Sequence, residues 1–221
     1  TLRRIIGKNS HPRVNIVNAT QAISVDEHPV QALKSKKDST ISVGLSLVRH
    51  AKADAFVSAG STGALLAGGL LTLGRIKGID RPALTVILPG VHGKPFMILD
   101  VGANTDTRVR NLREFAIMGS VYADKVLGID SPRVALLNIG TEESKGSEQV
   151  KQAHGVLKQS SMNFVGNIEA RDLFGEVADV IVCDGFVGNV ALKAIEGLAS
   201  TMFAIIKEEI SRDLRSKVGA M

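Results

Sequence analysis

The sequence predicts an α/β protein with a mixed, mostly parallel sheet and helices on both faces, and three observations carry that expectation. Short β-branched runs alternate with longer stretches of helical period, which implies crossover connections between parallel strands. Strand candidates such as Val180-Ile181-Val182-Cys183 are apolar throughout, as strands covered on both sides must be. Glycine, at 22 of 221 residues, gathers at the ends of these strands, where ligands bind in open α/β sheets.

In chain order, residues 14–17 open the series as a β-branched run, and 30–36 and 40–52 follow with helical period. The run 55–58 passes through Gly60 into the apolar helix expected over 62–73. Strands over 83–88 and 96–101 are separated only by Pro89-Gly90-Val91-His92-Gly93-Lys94-Pro95. No crossover helix fits there, so this pair is expected to be antiparallel and makes the sheet mixed. A helix over 108–127 leads to a strand at 134–138, a helix over 147–159 to a strand at 163–165, and a strand at 180–183 to a long final helix over 188–217. No tandem repeat or linker interrupts the series, and a single α/β domain over 1–221 is expected.

Composition narrows the function classes. With 44% hydrophobic and 22% charged residues the chain is not a disordered segment, and one cysteine cannot build a disulfide framework, which points to a reducing, cytoplasmic setting. The opening Thr1-Leu2-Arg3-Arg4-Ile5-Ile6-Gly7 lacks the apolar core of a secretory signal, and no uncharged apolar run approaches the roughly 20 residues that span a bilayer. A formal charge of +5 favours anionic partners. Nucleic acid is disfavoured, because aromatics are only 4% and do not interleave with arginine as a stacking platform needs.

Five strand ends carry polar loops. In Ala59-Gly60-Ser61-Thr62-Gly63-Ala64 small residues let backbone amides approach a phosphate, and the hydroxyls of Ser61 and Thr62 add donors at a helix start. The same loop reads equally as a capped strand-to-helix turn. It is neither a Walker A loop nor a dinucleotide fingerprint. Gly102-Ala103-Asn104, Asn138-Ile139-Gly140-Thr141-Glu142-Glu143, Gly166-Asn167 and Asp184-Gly185-Phe186-Val187-Gly188-Asn189 follow the other strands.

Lys145 follows a glycine-containing turn and two acids at a strand end, where an ammonium can meet phosphate or a developing oxyanion; Glu142 and Glu143 either orient it or are first-turn helix acids beside a solvated lysine. Asn189, Asn104 and Asn138 are carbonyl or phosphate ligands on one reading and caps or turn formers on the other. Asp184 handles a proton or orients Lys145, or else caps the last helix. The five histidines form no H-E-x-x-H or other close ligand pair, so no metal is expected. Cys183 reads as packing, and no G-x-S-x-G elbow occurs. Amides, hydroxyls, asparagines and a lysine without a conventional nucleophile suit a reaction in which the substrate attacks, and inorganic phosphate is such a substrate.

These residues resemble the PlsX phosphate acyltransferases. The likeness runs through Ser58-Ala59-Gly60-Ser61-Thr62-Gly63-Ala64-Leu65, Gly74-Arg75-Ile76-Lys77-Gly78-Ile79-Asp80-Arg81-Pro82-Ala83 and Leu99-Asp100-Val101-Gly102-Ala103-Asn104. It continues in Ala116-Ile117-Met118-Gly119-Ser120-Val121-Tyr122, Asn138-Ile139-Gly140-Thr141-Glu142-Glu143, Gly166-Asn167-Ile168-Glu169-Ala170-Arg171-Asp172 and Cys183-Asp184-Gly185-Phe186-Val187-Gly188-Asn189. The resemblance implies transfer of a fatty acyl group from acyl-acyl carrier protein to inorganic phosphate, giving acyl phosphate for phospholipid biosynthesis. It also implies a fold like phosphotransacetylases and isocitrate or isopropylmalate dehydrogenases, a homodimer, no organic cofactor, and contact with the inner face of a membrane.

On this sequence the resemblance makes Lys145 and Asn189 the catalytic residues. Phosphate and substrate fall to Gly60, Ser61, Thr62 and Gly63, with Asn104, Asn138, Thr141, Asp184 and Gly185 around them, in one shared cradle. Two departures accompany it. The family begins with a strand and an Asp-Ala-Met-Gly-Gly-Asp segment and continues past the long helix, and both parts are expected to be missing here; Ser61 also stands where an asparagine is common. Two other readings remain: a phosphotransacetylase-like enzyme using acyl-CoA, and a non-catalytic phosphate-binding scaffold. In the final helix, Met202, Phe203, Ile205, Ile206 and Ile210 beside Lys207, Arg212, Arg215 and Lys217 suit a core stripe, dimerisation or a membrane contact.

Overall fold

The computed structural model describes residue 11 and residues 13–211. The chain forms two compact units, one reaching to Ile76 and one beginning at Lys77.

In the first unit helices α1 (Pro29–Ser35), α2 (Thr40–Arg49) and α3 (Thr62–Thr72) pack through Leu33, Ile41, Leu45 and Ala64. Each starts where its sequence allows. Pro29 occupies the first position of α1, where a missing N–H costs nothing, and Ser39 and Ser61 cap α2 and α3 by accepting from the amides of Ser42 and Ala64. The strands expected at 14–17 and 55–58 are not strands. A β-run is stable only when a neighbour completes its ladder, and among the described residues this unit has just one isolated bridge, Gln21 to Ser39. Accordingly, Val57 is 93% exposed.

The second unit holds the sheet: β1 (Thr85–Pro89), β2 (Pro95–Leu99), β3 (Val134–Leu137), β4 (Phe164–Ile168) and β5 (Val180–Val182), in the order β1-β2-β5-β3-β4. The β1–β2 pair is antiparallel, as the short connection between them requires, and every other pairing is parallel. Alternation along the strands sorts the core. Met97, Leu99, Val134, Leu136, Val180 and Val182 face helices α4 (Val109–Lys125) and α5 (Glu148–Lys158). On the opposite face Phe96, Ile98, Ala135, Leu137 and Ile181 meet Ala191, Leu192 and Ile195 of helix α6 (Gly185–Ser211). Burial on both faces explains why these strands read as unbroken apolar runs.

Helix α6 starts three residues earlier than the sequence suggested, because Asp184 rather than a later residue caps it. Its predicted end at 212–217, with Arg212, Arg215 and Lys217, lies outside the described residues. By length and composition α6 is long and apolar enough to cross a bilayer, although it carries the Lys193–Glu196 ion pair. Its second half exposes Phe203, Ile205 and Ile206.

Candidate functional site

Because β2, β5 and β3 are parallel neighbours, their carboxyl ends open on one edge of the sheet, and three loops leave it there. The first is built around Asp100, which is 0% exposed. Its Oδ1 accepts from the amides of Leu84 (3.0 Å), Gly102 (3.1 Å) and Ala103 (2.9 Å). Its Oδ2 accepts from the Asn104 amide (2.7 Å) and from Asn104 Nδ2 (2.7 Å). A buried carboxylate is tolerable when its lone pairs are filled in this way. Asn104 Nδ2 also donates to the Pro82 carbonyl (2.8 Å), so both amide hydrogens of this candidate ligand are spent inside the loop.

The second loop is the start of α6. Asp184 Oδ1 accepts from the amides of Phe186 (3.0 Å) and Val187 (2.9 Å), which realises its capping reading. The Gly185 amide donates to the Asn104 carbonyl (2.7 Å), and a Cβ at Gly185 would stand 2.8 Å from that oxygen. One turn on, a Cβ at Gly188 would collide with the Asp100 carbonyl oxygen. These glycines let the helix start dock against the Asp100 loop. Asn189 is therefore not a cap: it lies inside the helix, is exposed, makes no side-chain hydrogen bond among the described residues, and stands 3.6 Å from the Cβ position of Gly102.

The third loop presents Lys145. Asn138 ends β3 and closes the loop with both ends of its amide: Nδ2 donates to the Lys145 carbonyl (3.0 Å) and Oδ1 accepts from the Ile139 amide (2.8 Å). The Lys145 amide donates to the Glu142 carbonyl (3.1 Å), which also accepts from Asn167 Nδ2 (2.9 Å). The Lys145 backbone is thus held at both its polar groups while its side chain is exposed and makes no ion pair among the described residues. Neither glutamate forms an ion pair with it among the described residues: Glu143 pairs with Lys158 of α5, while Glu142 Oε2 and Lys145 Cγ lie 2.8 Å and 2.9 Å from where a Cβ of Gly140 would stand. Thr141 is exposed on the same loop.

Below these loops lies a cavity of about 600 Å³. Asn138, Gly146, Ser147 and Asp184 border it, so the loops of Lys145 and of α6 share one space. Its walls are apolar, with Leu112, Leu136 and Val182 at the buried base and Val150, Val190 and Ala194 along the sides. Cys183 also lines it and is inert: burial pushes its thiol pKa far up, Asp184 and Asp100 add to the rise, and Sγ donates to the Asp100 carbonyl (3.4 Å).

The Gly60 loop belongs to the first unit. The Gly60 amide already donates to Ser58 Oγ (3.1 Å) and Ser61 Oγ caps α3, so the turn reading is realised there. Thr62 and Gly63 are exposed at the first turn of α3, with Pro29 Cγ 3.1 Å from the Cβ position of Gly63. The structure thus brings Asn138 and Asp184 to one cavity, with Lys145 in the loop that Asn138 closes, sets Asn189 and Gly185 on the adjoining helix turn against the Asp100 loop, and carries Gly60 to Gly63 on a separate unit. Among the described residues no three His, Cys, Asp or Glu side chains gather as metal ligands.

Sequence reasoning missed Asp100 and the cavity. Asp100 had a weak signal, an acid at the end of an apolar strand before Gly-Ala-Asn. The cavity wall had one too, in the i, i+3, i+7 spacing of Val187, Val190 and Ala194.

The family described as fatty acid synthesis protein matches residues 1–221. The chain is 51% identical over 208 residues to a phosphate acyltransferase of Thermoanaerobacterium thermosaccharolyticum, covering 94% of this chain and 62% of the relative. It is 54% identical over 209 residues to that of Thermoanaerobacter pseudethanolicus, covering 95% and 63%. The chain therefore spans a little under two thirds of these relatives. In fold it is similar to the EutD phosphotransacetylase from Staphylococcus aureus (TM-score 0.61, 19% identity, covering 90% of this chain and 71% of that one). A phosphotransacetylase from Streptococcus pyogenes is similar to the same extent (TM-score 0.62, 19% identity, 90% and 71%).

Proposed function

Because the chain belongs to the fatty acid synthesis protein family, we propose that the protein is a phosphate acyltransferase that moves a fatty acyl group from acyl-acyl carrier protein to inorganic phosphate, supplying acyl phosphate for phospholipid synthesis. One observation supports this most directly: a lysine without an ion pair among the described residues, held only by its backbone, sits in the loop whose Asn138, Gly146 and Ser147 border an apolar cavity shared with a helix N-terminus.

The chemistry follows from those groups. A phosphate oxygen attacks the thioester carbonyl carbon, and the carbonyl electrons move onto oxygen. The Lys145 ammonium and the Asn189 amide donate to the negative charge gathering on phosphate and on that oxyanion. The carbonyl then re-forms, the carbon–sulfur bond breaks, and the carrier leaves as thiolate while the acyl–oxygen bond to phosphate remains. Pre-placed donors are worth most here because the apolar cavity keeps water away from one side of the reacting carbon.

Thr141, on the loop of Lys145, adds a hydroxyl for phosphate in this reading, and neither metal nor organic cofactor is required. The protein acts as a homodimer in the cytoplasm, and the exposed apolar half of α6 supports a peripheral membrane contact or a subunit contact.

The test is the loss of acyl-acyl carrier protein with and without phosphate, with acyl-CoA in parallel. Phosphate-dependent loss of the carrier protein thioester is expected. Turnover of acyl-CoA alone would assign a phosphotransacetylase instead, and phosphate binding without thioester loss would leave a scaffold.

A further inference from the structure

We propose that the apolar cavity of the second unit holds the alkyl tail of the acyl donor, and that Val150 and Ala194 set the length of tail it takes; this rests on the phosphate acyltransferase reading. The first argument is the distribution of polarity. Asn138, Ser147 and Asp184 supply the oxygen- and nitrogen-bearing side chains of the lining, and all three stand where strands end or helices begin, Asn138 bonded to the backbone of Lys145. Apart from the Cys183 thiol, the other side chains of the lining are hydrocarbon, down to Leu112, Leu136 and Val182 in the core. A molecule with one polar end and a long unbranched apolar tail matches that distribution, with its thioester at the loops and its tail against the core.

Size points the same way. About 600 Å³ lies within the roughly 300–1,000 Å³ of small-molecule sites. The wall from Phe186 to Ala194 runs about 12 Å along α6 at 1.5 Å per residue. An acetyl group would leave most of such a space without contacts, whereas a fatty tail fills it and gains with each methylene it buries. A nucleotide or sugar finds too few polar partners on these walls.

Val150 and Ala194 project from two different helices, α5 and α6, and both line the cavity without being fully buried in the core. Larger side chains there intrude on the space while leaving the base untouched. The experiment uses Val150→Phe and Ala194→Phe, each checked by thermal melting, with octanoyl, lauroyl and palmitoyl donors and phosphate. In parallel, the binding of cis-parinaric acid, a fluorescent fatty acid, is titrated without any turnover.

For both variants the palmitoyl-to-octanoyl ratio of kcat/KM is expected to fall about tenfold, the loss from barring roughly two methylenes, and parinarate binding should weaken in step. Turnover with an unchanged ratio and unchanged parinarate affinity overturns the cavity and leaves the proposed function standing. Parinarate binding that the variants weaken, in a protein that turns over no donor, keeps the cavity as a fatty-tail site and overturns the function. No parinarate binding to the unaltered protein overturns the cavity outright. If one variant melts early, the other carries the comparison from its own helix.

Discussion

The loops that leave β2 and β3 share one edge of the sheet and are organised in opposite ways. Around Asp100 every polar group turns inward: a fully buried carboxylate gathers four backbone amides and the Asn104 side chain, and nothing charged is left for a ligand. Around Lys145 the inward bonds belong to the backbone, through Asn138, Glu142 and Asn167, and the cation is left in solvent. A closed hydrogen-bond network and an exposed cation are thus divided between neighbours. The first loop seats the start of α6, and the second offers a charge whose backbone is held in place and whose side chain has no internal partner to give up.

Three substitutions probe that division, beginning with the largest effect. Asp100→Ala takes the acceptor from four part-buried amides and the Asn104 side chain, at about 1 kcal/mol or more each, so unfolding in urea should show a loss of about 4 kcal/mol or no folded protein at all. A loss below about 1 kcal/mol would mean that the carboxylate is not the keystone of its loop. Lys145→Ala should behave oppositely, lowering kcat by about 10²–10³, near 3 kcal/mol of transition-state stabilisation, while the melting temperature barely moves. Full turnover in a folded Lys145→Ala variant would remove this residue from the mechanism.

The smallest effect is a control at the other end of the same strands. There Arg133 meets Asp179 through Nε (3.0 Å) and Nη2 (2.8 Å) and donates to the Glu176 carbonyl (2.7 Å). Burial raises the Asp179 pKa, but the Arg133 side-chain and backbone hydrogen bonds and its charge outweigh that rise and hold it below the ordinary value. Arg133→Ala should cost about 2 kcal/mol at neutral pH with kcat unchanged. A depressed carboxyl stabilises the fold above its unfolded pKa near ~3.9, and that contribution fades as pH falls through the folded value. The stability gap between the parent protein and Arg133→Ala should therefore narrow as the medium is acidified below about pH 4. A gap that stays constant down to pH 2 would show that the carboxylate charge is not what the arginine stabilises.

Much of the second unit was legible in the sequence. Five apolar runs became five strands, and the seven residues between Leu88 and Phe96 were enough to make the first pair antiparallel. Residues 14–17 and 55–58 carry the same β-branched signature and form no strand, because periodicity reports which faces are apolar and not whether a neighbour is there to bond. At the site, Lys145 stood out by its place after a strand, and the capping reading of Asp184 was available from its spacing. For Asn189 the sequence left a ligand and a cap reading open, since whether it caps or projects depends on where α6 begins, and the Asp184 cap decides that.

What the sequence determined by itself was the alternation of elements, the two-sided burial of the strands and the family to which the chain belongs, all of which follow from local residue patterns read in order. Tertiary structure alone decided that Asp100 is a buried hub, that Glu143 turns to Lys158 and leaves Lys145 unpaired, and that residues from Leu112 to Ala194 enclose one apolar space. Each of these depends on which atoms meet across the fold, and a hydrogen bond or a cavity exists only through partners distant along the chain.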